Sequence, residues 1–357
     1  MARRLGADIS SMTLDRPVTV MHVCGTHEHA IGRAGIRAVL PEGLRLVAGP
    51  GCPVCVCPAR DIDLAVAAAR MDDVTVATFG DMFRVPSTTS SLEEEKASGG
   101  DVRIVYSPID AVNFAREHPE RRVVFMAVGF ETTAAPIAAS LLAEPPDNFF
   151  ILPSLRIIPP ALTFLLEGGT GPVEGFILPG HVSTVIGMEG YRFLDERFHV
   201  PGVIAGFEAV DVLRAVKELV AQISGEKKPA VVNLYRRVVN DEGNRRARET
   251  ISRVFMEDDV EWRGIGVIPC SGLVLRPEFK RLDAVEHLGL SVDTEPVDIR
   301  PGCLCHKVIL GESEPEECKL FGDACTPRKP YGPCMVSSEG TCRARYQYRP
   351  VQRSPRE

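Results

Sequence analysis

Short apolar runs alternate with amphipathic stretches through the first two-thirds of the chain, and this alternation limits the possible folds more than any other feature. The runs are rich in β-branched residues, about five residues long, and bounded by Gly, Pro or charge, as buried strands are. They predict strands at Val18–Val23, Leu44–Ala48, Val74–Phe79, Val102–Tyr106, Val123–Val128, Phe149–Leu152, Gly175–Leu178 and Val203–Ala205. Helical patterns between them predict helices at Ala59–Arg70, Ile109–His118, Thr132–Leu142, Pro160–Glu167 and Ala209–Ser224. This alternation is typical of an α/β fold with parallel sheets covered by helices on both faces.

The number of predicted strands favours two sheets, and therefore two α/β domains followed by a third region of different character. The first boundary is predicted near Pro119–Arg122, which gives domains over residues 1–120 and 121–228. After Gly225 the pattern changes, and Val231–Arg253 is interpreted as one long Arg-rich helix. A stretch punctuated by Gly and Pro and then a cysteine-rich segment follow. Residues 229–357 are therefore predicted to form a third, helical and irregular domain.

The composition is that of a soluble globular protein, with 45% hydrophobic and 25% charged residues. The net charge of −7 argues against general nucleic-acid binding. No window reaches the roughly 18 uninterrupted apolar residues of a membrane helix, and the N-terminus lacks the apolar core of an export signal, so a cytoplasmic location is expected. The sequence has no phosphate-binding G-x-x-x-x-G-K-[ST] loop, no G-x-G-x-x-G after a strand and no G-x-S-x-G elbow. These absences disfavour an ATPase, a nicotinamide enzyme and a serine hydrolase.

Six of the chain's 11 cysteines are concentrated in a C-terminal segment rich in Gly, Pro and charge. They are Cys303, Cys305, Cys318, Cys325, Cys334 and Cys342, separated by 1, 12, 6, 8 and 7 residues. The segment has little apolar material for its own core, so covalent or metal bonds must fix it. Disulfides suit small secreted domains, and zinc sites prefer two short C-x2–4-C pairs, which are missing here. Uneven single cysteines favour a four-iron cluster bound by four thiolates, with two cysteines left over, while zinc and purely structural thiols are the alternatives.

A cysteine-containing turn follows the first predicted strand, in Met21-His-Val-Cys-Gly-Thr-His-Glu-His29. Ligands gather at the carboxyl ends of parallel strands, which is where Cys24 lies. Gly25 lets the chain turn, and Thr26 is expected to cap the next helix. The helix dipole and nearby imidazoles are expected to favour the thiolate of Cys24, the form that binds soft metals or attacks electrophiles. The alternative is a small buried cysteine at a strand end.

A second thiol motif follows the second strand, in Gly49-Pro-Gly-Cys-Pro-Val-Cys-Val-Cys-Pro58. Cys52 and Cys55 form a C-x-x-C pair, which is typical of a dithiol/disulfide couple or of half a metal site. Cys57 is a weaker candidate. The proximity of a second thiol site after an adjacent strand strengthens the interpretation of this pair as functional.

Two further polar motifs follow later predicted strands. Glu131, in Gly129-Phe-Glu-Thr-Thr133, is a candidate for accepting a hydrogen bond, binding a hard metal or moving a proton. A helix start capped by Thr132 or Thr133 explains the same residues equally well. His181, in Leu178-Pro-Gly-His-Val-Ser-Thr184, is a candidate proton donor or ligand, although a lone His is more often a satisfied polar group.

Taken together, these motifs and Gly-Pro-Cys-Met-Val-Ser-Ser-Glu-Gly resemble the HypD family of [NiFe]-hydrogenase maturation factors, from about Val18 to Tyr348. The resemblance implies two α/β domains facing a cleft and a third domain carrying a [4Fe-4S] cluster. It also implies a small chaperone partner, HypC, with which the protein assembles the Fe(CN)2CO group of the hydrogenase. The cyanide would come from HypE, with HypF upstream. No nucleic-acid or membrane partner is implied.

The resemblance also assigns roles to individual residues. Cys24 would bind the iron of Fe(CN)2CO, with Thr26 and His27 lining the same site. Cys52 and Cys55 would be the redox pair near the cleft, which Glu131 and His181 would face. The family pattern gives the cluster to four cysteines and leaves two as a spare pair. The implied ligands are Cys303, Cys318, Cys325 and Cys342, and the implied spare pair is Cys305 and Cys334.

Two departures from the family pattern and two competing functions qualify this interpretation. His306 stands where the family more often has Gly, and Cys57 is an additional thiol. One competing function is a [4Fe-4S]-dependent protein disulfide reductase, which leaves the Cys24 and Glu131 motifs without a role. The other is a binding scaffold whose cluster is only structural. The thiols suggest a hypothetical relay from the cluster through Cys305 and Cys334, then Cys52 and Cys55, to iron at Cys24.

Overall fold

The computed structural model describes residues 1–169 and 173–349 and arranges their strands in two sheets. The strands are β1 Val18–His22, β2 Leu44–Ala48, β3 Val74–Thr78, β4 Asp101–Ile104, β5 Arg122–Gly129, β6 Phe149–Arg156, β7 Gly175–Pro179, β8 Gly202–Ala205, β9 Val231–Asn233, β10 Phe255–Trp262 and β11 Gly266–Leu275. The helices are α1 Ala2–Ser10, α2 Gly25–Ala34, α3 Pro53–Val56, α4 Ala59–Ala69, α5 Leu92–Ala97, α6 Pro108–Glu117, α7 Glu131–Leu142, α8 Ile158–Phe164, α9 Gly180–Ile186, α10 Phe193–Glu196, α11 Ala209–Ile223, α12 Arg245–Val254, α13 Ala284–Leu288, α14 Cys305–Ile309, α15 Pro333–Val336 and α16 Thr341–Tyr348.

Both sheets are dominated by parallel strands with helices between them, so the predicted α/β fold is confirmed. The first sheet has the order β2-β1-β7-β8-β9, and all its neighbours are parallel. The second sheet has the order β10-β11-β6-β5-β3-β4. Its four strands from β6 to β4 are parallel, while β11 and β10 add an antiparallel edge. The strands bury continuous apolar runs, as parallel strands between helical layers do.

The chain passes between the sheets three times. Strands β1 and β2 belong to the first sheet, β3 to β6 to the second, β7 to β9 to the first, and β10 and β11 to the second. Sheet membership does not follow the predicted boundary at residue 120, because β4 and β5 on either side of it share a sheet. Residues 229–357 likewise contribute β9 to the first sheet and β10 and β11 to the second, and positions 350–357 lie outside the described residues.

The prediction of one long helix over Val231–Arg253 is wrong. Val231 and Val232 instead pair with β8 as an edge strand, and the helix in this region begins only at Arg245. Gly243 has a φ of 70°, a left-handed conformation that interrupts a right-handed helix. The Asn244 side chain then accepts a hydrogen bond from the Ala247 amide at 3.0 Å, which caps the new helix.

Strands β10 and β11 were not predicted, because β11 contains residues that usually mark loops. Their antiparallel register shifts between Asp258 and Val260, and Pro269 and Cys270 lie opposite this irregularity. Proline is tolerated at such bulges because no ladder hydrogen bond from its nitrogen is required there. The hairpin joins the parallel part of the second sheet through pairs between β11 and β6.

The cysteine-rich segment is mostly irregular and packs against α2, the helix that follows Cys24. A Cβ added to Gly32 would lie 2.7 Å from the Tyr348 ring, and one added to Gly25 would lie 2.2 Å from the Glu339 carbonyl oxygen. These close approaches require glycine and fix the C-terminal segment beside the end of β1. Among residues 1–169 and 173–349, no helix has the length and apolar character needed to cross a membrane.

Candidate functional site

Three of the predicted motifs meet at the carboxyl edge of the first sheet. Strand β1 lies between β2 and β7, and His22 near its end pairs with Ala48 of β2 and Ile177 of β7. The turns after these strands therefore bring Cys24, Cys52 and His181 to one edge. This is the place where parallel sheets gather ligands.

Cys24 lies directly before α2, in extended backbone, with its side chain buried. The Gly25 amide donates a hydrogen bond to the Gly51 carbonyl at 3.3 Å, which joins the two thiol-bearing turns. A Cβ on Gly51 would lie 2.3 Å from the Val23 carbonyl carbon, so only glycine permits this approach. The two glycines of the sequence motifs thus bring the turns after β1 and β2 together.

The expectation that the Cys24 thiol would favour its thiolate is wrong for the chain without metal. Burial raises the pKa of Cys24 to about 11, and the nearby Glu339 carboxylate raises it further. The amides of His27 and Thr26 at the start of α2 act in the opposite direction but contribute less. Loss of the Glu339 charge would remove only the smaller of the two causes, so a bound cation is needed to favour the thiolate here.

His27 is fully buried, and its ring is held as a neutral imidazole. Its Nε2 lies 3.3 Å from the Ala205 carbonyl and 3.1 Å from that of Gly206, so Nε2 carries the proton. Its Nδ1 has no hydrogen-bond partner within the described part of the chain. Burial, followed by the charge of His22, lowers the pKa of His27 to about 3. His27 is therefore an acceptor through Nδ1 at physiological pH.

Phe207 brings His27 and His181 together, and sequence reasoning missed it. Its ring centroid lies 4.9 Å from that of His27 and 4.1 Å from that of His181. His181 is the exposed member of the group. Partial burial lowers the pKa of His181, against the opposing effect of Glu339. Phe207 directly follows Gly206 after β8, and the only sequence signal for it was its place after a strand.

A buried network of His22, Glu28 and Arg37 holds the turn that contains Cys24. His22 Nε2 lies 2.6 Å from Glu28, and His22 Nδ1 lies 3.2 Å from the Cys24 carbonyl. Arg37 binds both oxygens of Glu28, at 2.8 and 2.7 Å. Although burial alone would raise it, Arg37 and His22 hold the pKa of Glu28 well below its usual range. His22 and Glu28 belong to the first motif, but their role in positioning Cys24 was not predicted.

Cys52 and Cys55 are joined as a disulfide, with their Cα atoms 5.3 Å apart. Both are buried, Cys52 directly before the short helix α3 and Cys55 within it, and the Cys55 amide lies 3.2 Å from the Cys52 sulfur. The hydroxyl of Ser337, from the C-terminal segment, lies 3.5 Å from the same sulfur. The pair therefore lies between the Cys24 turn and the cysteine-rich segment.

Residues 332–340, called here the linking segment, contact all three thiol sites. Cys334 lines a cavity together with the other five C-terminal cysteines, called here the cysteine cavity. Ser337 approaches the disulfide, and the Glu339 carboxylate accepts a hydrogen bond from the Thr26 hydroxyl at 3.1 Å. Asp81 holds the segment by accepting hydrogen bonds from the Ser338 amide at 2.8 Å and the Ser337 hydroxyl at 3.2 Å. The linking segment was recognised as a motif from the sequence. Glu339 and Asp81 were not predicted to be site residues.

All six C-terminal cysteines line one cavity. Apolar side chains complete its wall, among them Leu320, Phe321 and Met335. A Cβ on Gly332 would lie 2.9 Å from the Cys303 sulfur, so glycine is required beside this thiol. Within the described residues, no three His, Cys, Asp or Glu side chains already stand around one metal-sized space. The donor set nevertheless fits an iron–sulfur cluster, because many thiols converge in apolar surroundings without competing oxygen ligands.

Four of these thiols lie next to one another in a row, from Cys303 through Cys305 and Cys334 to Cys342. The two cysteines of the implied spare pair are therefore in contact with each other. The neighbouring Cys305 thiol, followed by burial, raises the pKa of Cys303, and burial raises that of Cys325. The division into four ligands and two spare cysteines stays a prediction.

The two departures from the family pattern lie away from the cysteine cavity. The Cys57 sulfur is fully buried 3.2 Å from the Ser154 hydroxyl, and burial raises its pKa to about 12. His306 is not among the residues that line the cavity, and its Nδ1 is buried without a partner in the part of the chain that is described. Cys57 is therefore protonated and packed at neutral pH, as an inert core thiol is.

Glu131 is buried at the start of α7, after the central strand of the second sheet. Its Oε1 accepts a hydrogen bond from the Ile158 amide at 2.9 Å. Burial raises the pKa of Glu131 to about 7. The pKa of the buried Tyr191 is raised by burial, then by the charges of Glu131 and Cys24, so this phenol lies near both. Glu131 itself lines a different cavity from the cysteine cavity.

The arrangement of two thiol-bearing turns joined to a six-cysteine cavity defines a candidate metal and thiol-redox centre on an α/β scaffold. The sequence profile of HypD, described as the hydrogenase formation hypA family, matches residues 1–349. The hydrogenase maturation factor HypD of Escherichia coli is 45% identical over 344 residues, covering 95% of this chain and 91% of that protein. The protein of the same name from Cupriavidus necator is 42% identical over 362 residues, covering 98% and 94%. This chain therefore belongs to the HypD family.

Proposed function

We propose that this protein is the scaffold on which the Fe(CN)2CO group of a [NiFe]-hydrogenase is assembled. The observation that supports this most is the linking segment, because one short stretch of chain contacts Thr26 beside Cys24, the Cys52–Cys55 disulfide and the cysteine cavity. A scaffold that binds iron and controls its oxidation state needs a thiolate site, a thiol-redox couple and a source of electrons in contact with one another.

Cys24 is proposed to bind the iron cargo through its sulfur, shared with a cysteine of the partner. Low-spin iron carrying cyanide and CO favours a soft ligand, and a buried thiol provides one in a pocket protected from water. The neutral His27 and the exposed His181 flank Phe207 near this turn and are proposed to line the iron site, where His181 would donate a hydrogen bond to a cyanide of the cargo. Thr26 is held by Glu339, which is proposed to take part in removing the Cys24 proton when iron binds.

A [4Fe-4S] cluster is proposed in the cysteine cavity, bound by Cys303, Cys318, Cys325 and Cys342. Such a cluster supplies single electrons at low potential when bound. Cys305 and Cys334 then remain as a contacting pair of thiols on the wall of the same cavity. The apolar wall limits the access of water to the cavity, although Cys303 and Cys318 are only partly buried, and limited water access would lower the reduction potential of a bound cluster.

Cys52 and Cys55 are proposed to act as a two-electron couple beside the iron site. Reduction of their disulfide takes two electrons and two protons and yields two thiols, and the reverse reaction returns them. The Ser337 hydroxyl, which donates to Asp81 while the disulfide is intact, would stabilise a Cys52 thiolate by redirecting its hydrogen bond to that sulfur. Glu131, whose pKa lies near neutrality, is proposed to store a proton near Tyr191 during this exchange.

The proposed partners follow from membership of the HypD family. A HypC-type small chaperone would share the iron with Cys24, and HypE, supplied by HypF, would donate cyanide. The proposed location is the cytoplasm, where thiol couples remain reducible.

Infrared spectroscopy of the anaerobically purified complex with the small chaperone tests this function. Metal-bound CO and cyanide absorb at about 1900–2150 cm⁻¹, where protein does not, and iron is the metal that carries them in this proposal. Bands that are present in the parent and lost in Cys24→Ala support the scaffold. A brown protein without bands, which turns over a model disulfide, would support the disulfide reductase instead. Cys270→Ala is the matched control, because Cys270 is exposed on β11 and belongs to none of the three thiol sites.

A further inference from the structure

A cavity of about 720 Å³ lies between helices α8, α9 and α12 and the hairpin β10–β11. Its wall is largely apolar and includes Ile157, Pro160, Ile251, Phe255 and Leu273. The elements around it come from both sheets, since α9 follows β7 of the first sheet and β10 and β11 belong to the second. Its volume lies within the range of roughly 300–1,000 Å³ that small-molecule sites occupy.

Glu131 is the one buried polar side chain among the residues that line this cavity. The Ile158 amide satisfies Oε1, but Oε2 is buried with no hydrogen-bond partner in the described part of the chain. A buried carboxyl oxygen without a partner costs free energy unless a ligand or water satisfies it. The carboxyl group therefore offers one free hydrogen-bonding position at the inner end of an apolar cavity.

Arg248 and Arg276 also line the cavity, together with Glu257 and with Glu189, which is paired with Arg192 at 3.1 Å. Arg248 on α12 donates to the Glu242 carbonyl at 2.8 Å, and Arg276 after β11 donates to the Ser252 carbonyl at 2.6 Å. Within the described residues, neither forms an ion pair with a carboxylate. Each guanidinium has further donors that remain available for an anion.

We propose that this cavity binds a small amphipathic organic anion. The anionic group of the ligand would pair with Arg248 and Arg276, its apolar body would fill the space beside Ile251 and Phe255, and a neutral hydrogen-bond acceptor at its other end would meet the Glu131 hydroxyl. None of the cysteines lines the cavity, and Glu131 is the one residue that this site shares with the proposed function. A ligand here would contact elements of both sheets at once.

N-Acetylphenylalanine is a suitable probe, because it combines a carboxylate, an aromatic body and a neutral amide carbonyl. Isothermal titration calorimetry with the full-length protein is expected to show saturable one-to-one binding. N-Acetylphenylalaninamide, which has no negative charge, and 3-phenylpropanoate, which has no acetamido acceptor, are each expected to bind about tenfold more weakly.

Variants of the lining residues locate the binding. Arg248→Ala/Arg276→Ala is expected to weaken the binding of N-acetylphenylalanine at least about tenfold, while Arg253→Ala, an exposed arginine on the same helix, leaves it unchanged. Ile251→Trp fills the cavity and is expected to abolish binding. Glu131→Ala removes the inner hydrogen bond, and Glu131→Gln, which keeps a donor, restores it.

The proposal is overturned if N-acetylphenylalanine gives no saturable heat with the parent protein. It is equally overturned if the double arginine variant and Ile251→Trp bind the probe as tightly as the parent does, since the ligand would then lie elsewhere. Arg248 is exposed and Arg276 is half-buried, and neither belongs to the buried core, so the test does not depend on whether Glu131→Ala folds.

Discussion

At the scale of single residues, burial has more effect on the chemistry of the site than sequence position does. Cys24 stands at the start of a helix, a position that lowers thiol pKa values in general, yet burial and Glu339 raise its pKa to about 11. The sequence correctly indicated that Cys24, Cys52 and His181 follow strands, but it could not show which side chains would cover them. Glu339 comes from 315 residues further along the chain, and no local pattern connects it with Cys24.

The first prediction concerns the reactivity of Cys24 in the iron-free protein. A pKa of about 11 leaves roughly one thousandth of the thiol ionised at pH 8. Because the side chain is also buried, iodoacetamide is expected to modify Cys24 at least about tenfold more slowly than the exposed Cys270 in the same sample. Peptide mass spectrometry over time measures both rates.

Glu339→Gln provides the matched variant for this prediction. Removing the carboxylate removes the second cause of the raised pKa, so alkylation of Cys24 should become faster while that of Cys270 stays the same. Equal rates for Cys24 and Cys270 in the parent protein would contradict a protonated, protected thiol at Cys24.

The second prediction concerns the buried carboxyl of Glu131. Its pKa is raised from 4.5 to about 7, so the folded state holds this proton more tightly than the unfolded state does. Below pH 4.5 the carboxyl is protonated in both states. As the pH rises from 4.5 to 7, the free energy of unfolding falls by up to about 3 kcal/mol. Glu131→Gln is neutral at every pH, so its Tm relative to the parent is expected to be several degrees higher at pH 8 than at pH 5.

The exposed Glu226→Gln is the control for this measurement and should show the same Tm difference from the parent at both pH values. A Tm difference for Glu131→Gln that does not change between pH 5 and pH 8 would show that the Glu131 carboxyl titrates alike in the folded and unfolded states.

At the scale of secondary-structure elements, the sequence predicted best where the chain follows the usual α/β pattern. The strands from β1 to β8 agree with the apolar runs to within a few residues, because buried parallel strands need continuous β-branched residues. The prediction from the sequence was wrong at Val231–Arg253, where Gly243 and the Asn244 cap divide the region. It also missed β11, where a bulge accommodates Pro269. In both places long-range pairing with another strand determined the structure of a locally ambiguous stretch.

The third prediction concerns the linking segment, which Asp81 holds in place. Asp81→Ala leaves the Ser338 amide and two hydroxyl groups without their acceptor, at a cost of about 1–3 kcal/mol. Residues 332–340 are then expected to exchange their amide hydrogens faster, because local opening becomes less costly. Hydrogen–deuterium exchange with mass spectrometry measures this directly.

Asp15→Ala removes an exposed carboxylate of the same type and should leave exchange in residues 332–340 unchanged. If exchange there is also unchanged in Asp81→Ala, Asp81 does not stabilise the linking segment. The comparison separates a local effect on this segment from a general loss of stability.

At the scale of the whole molecule, the two sheets are interleaved along the chain, and this is what brings the thiol sites together. The sequence supported two sheets but placed their division at residue 120, because strands close in sequence usually share a sheet. The actual order joins β1 and β2 with β7 to β9, so Cys24, Cys52 and His181 meet although up to 157 residues separate them. Pairings between strands so distant in sequence leave no periodic signal in the sequence itself.

The last prediction tests whether the cysteine cavity delivers electrons to the site of assembly. Cys305 lies in the row of contacting thiols between Cys303 and Cys334, and the family resemblance places it outside the four cluster ligands. Cys305→Ser should therefore retain the brown absorption of the proposed cluster but lose the infrared bands of CO and cyanide in the complex with the small chaperone. Cys270→Ser, which replaces an exposed cysteine outside the three thiol sites, should retain both signals. Loss of the brown colour would instead make Cys305 a cluster ligand, and retention of both signals would exclude Cys305 from electron delivery. Each outcome assigns Cys305 a different role, because a thiol of the cavity can either bind the cluster or exchange electrons with the Cys52–Cys55 disulfide.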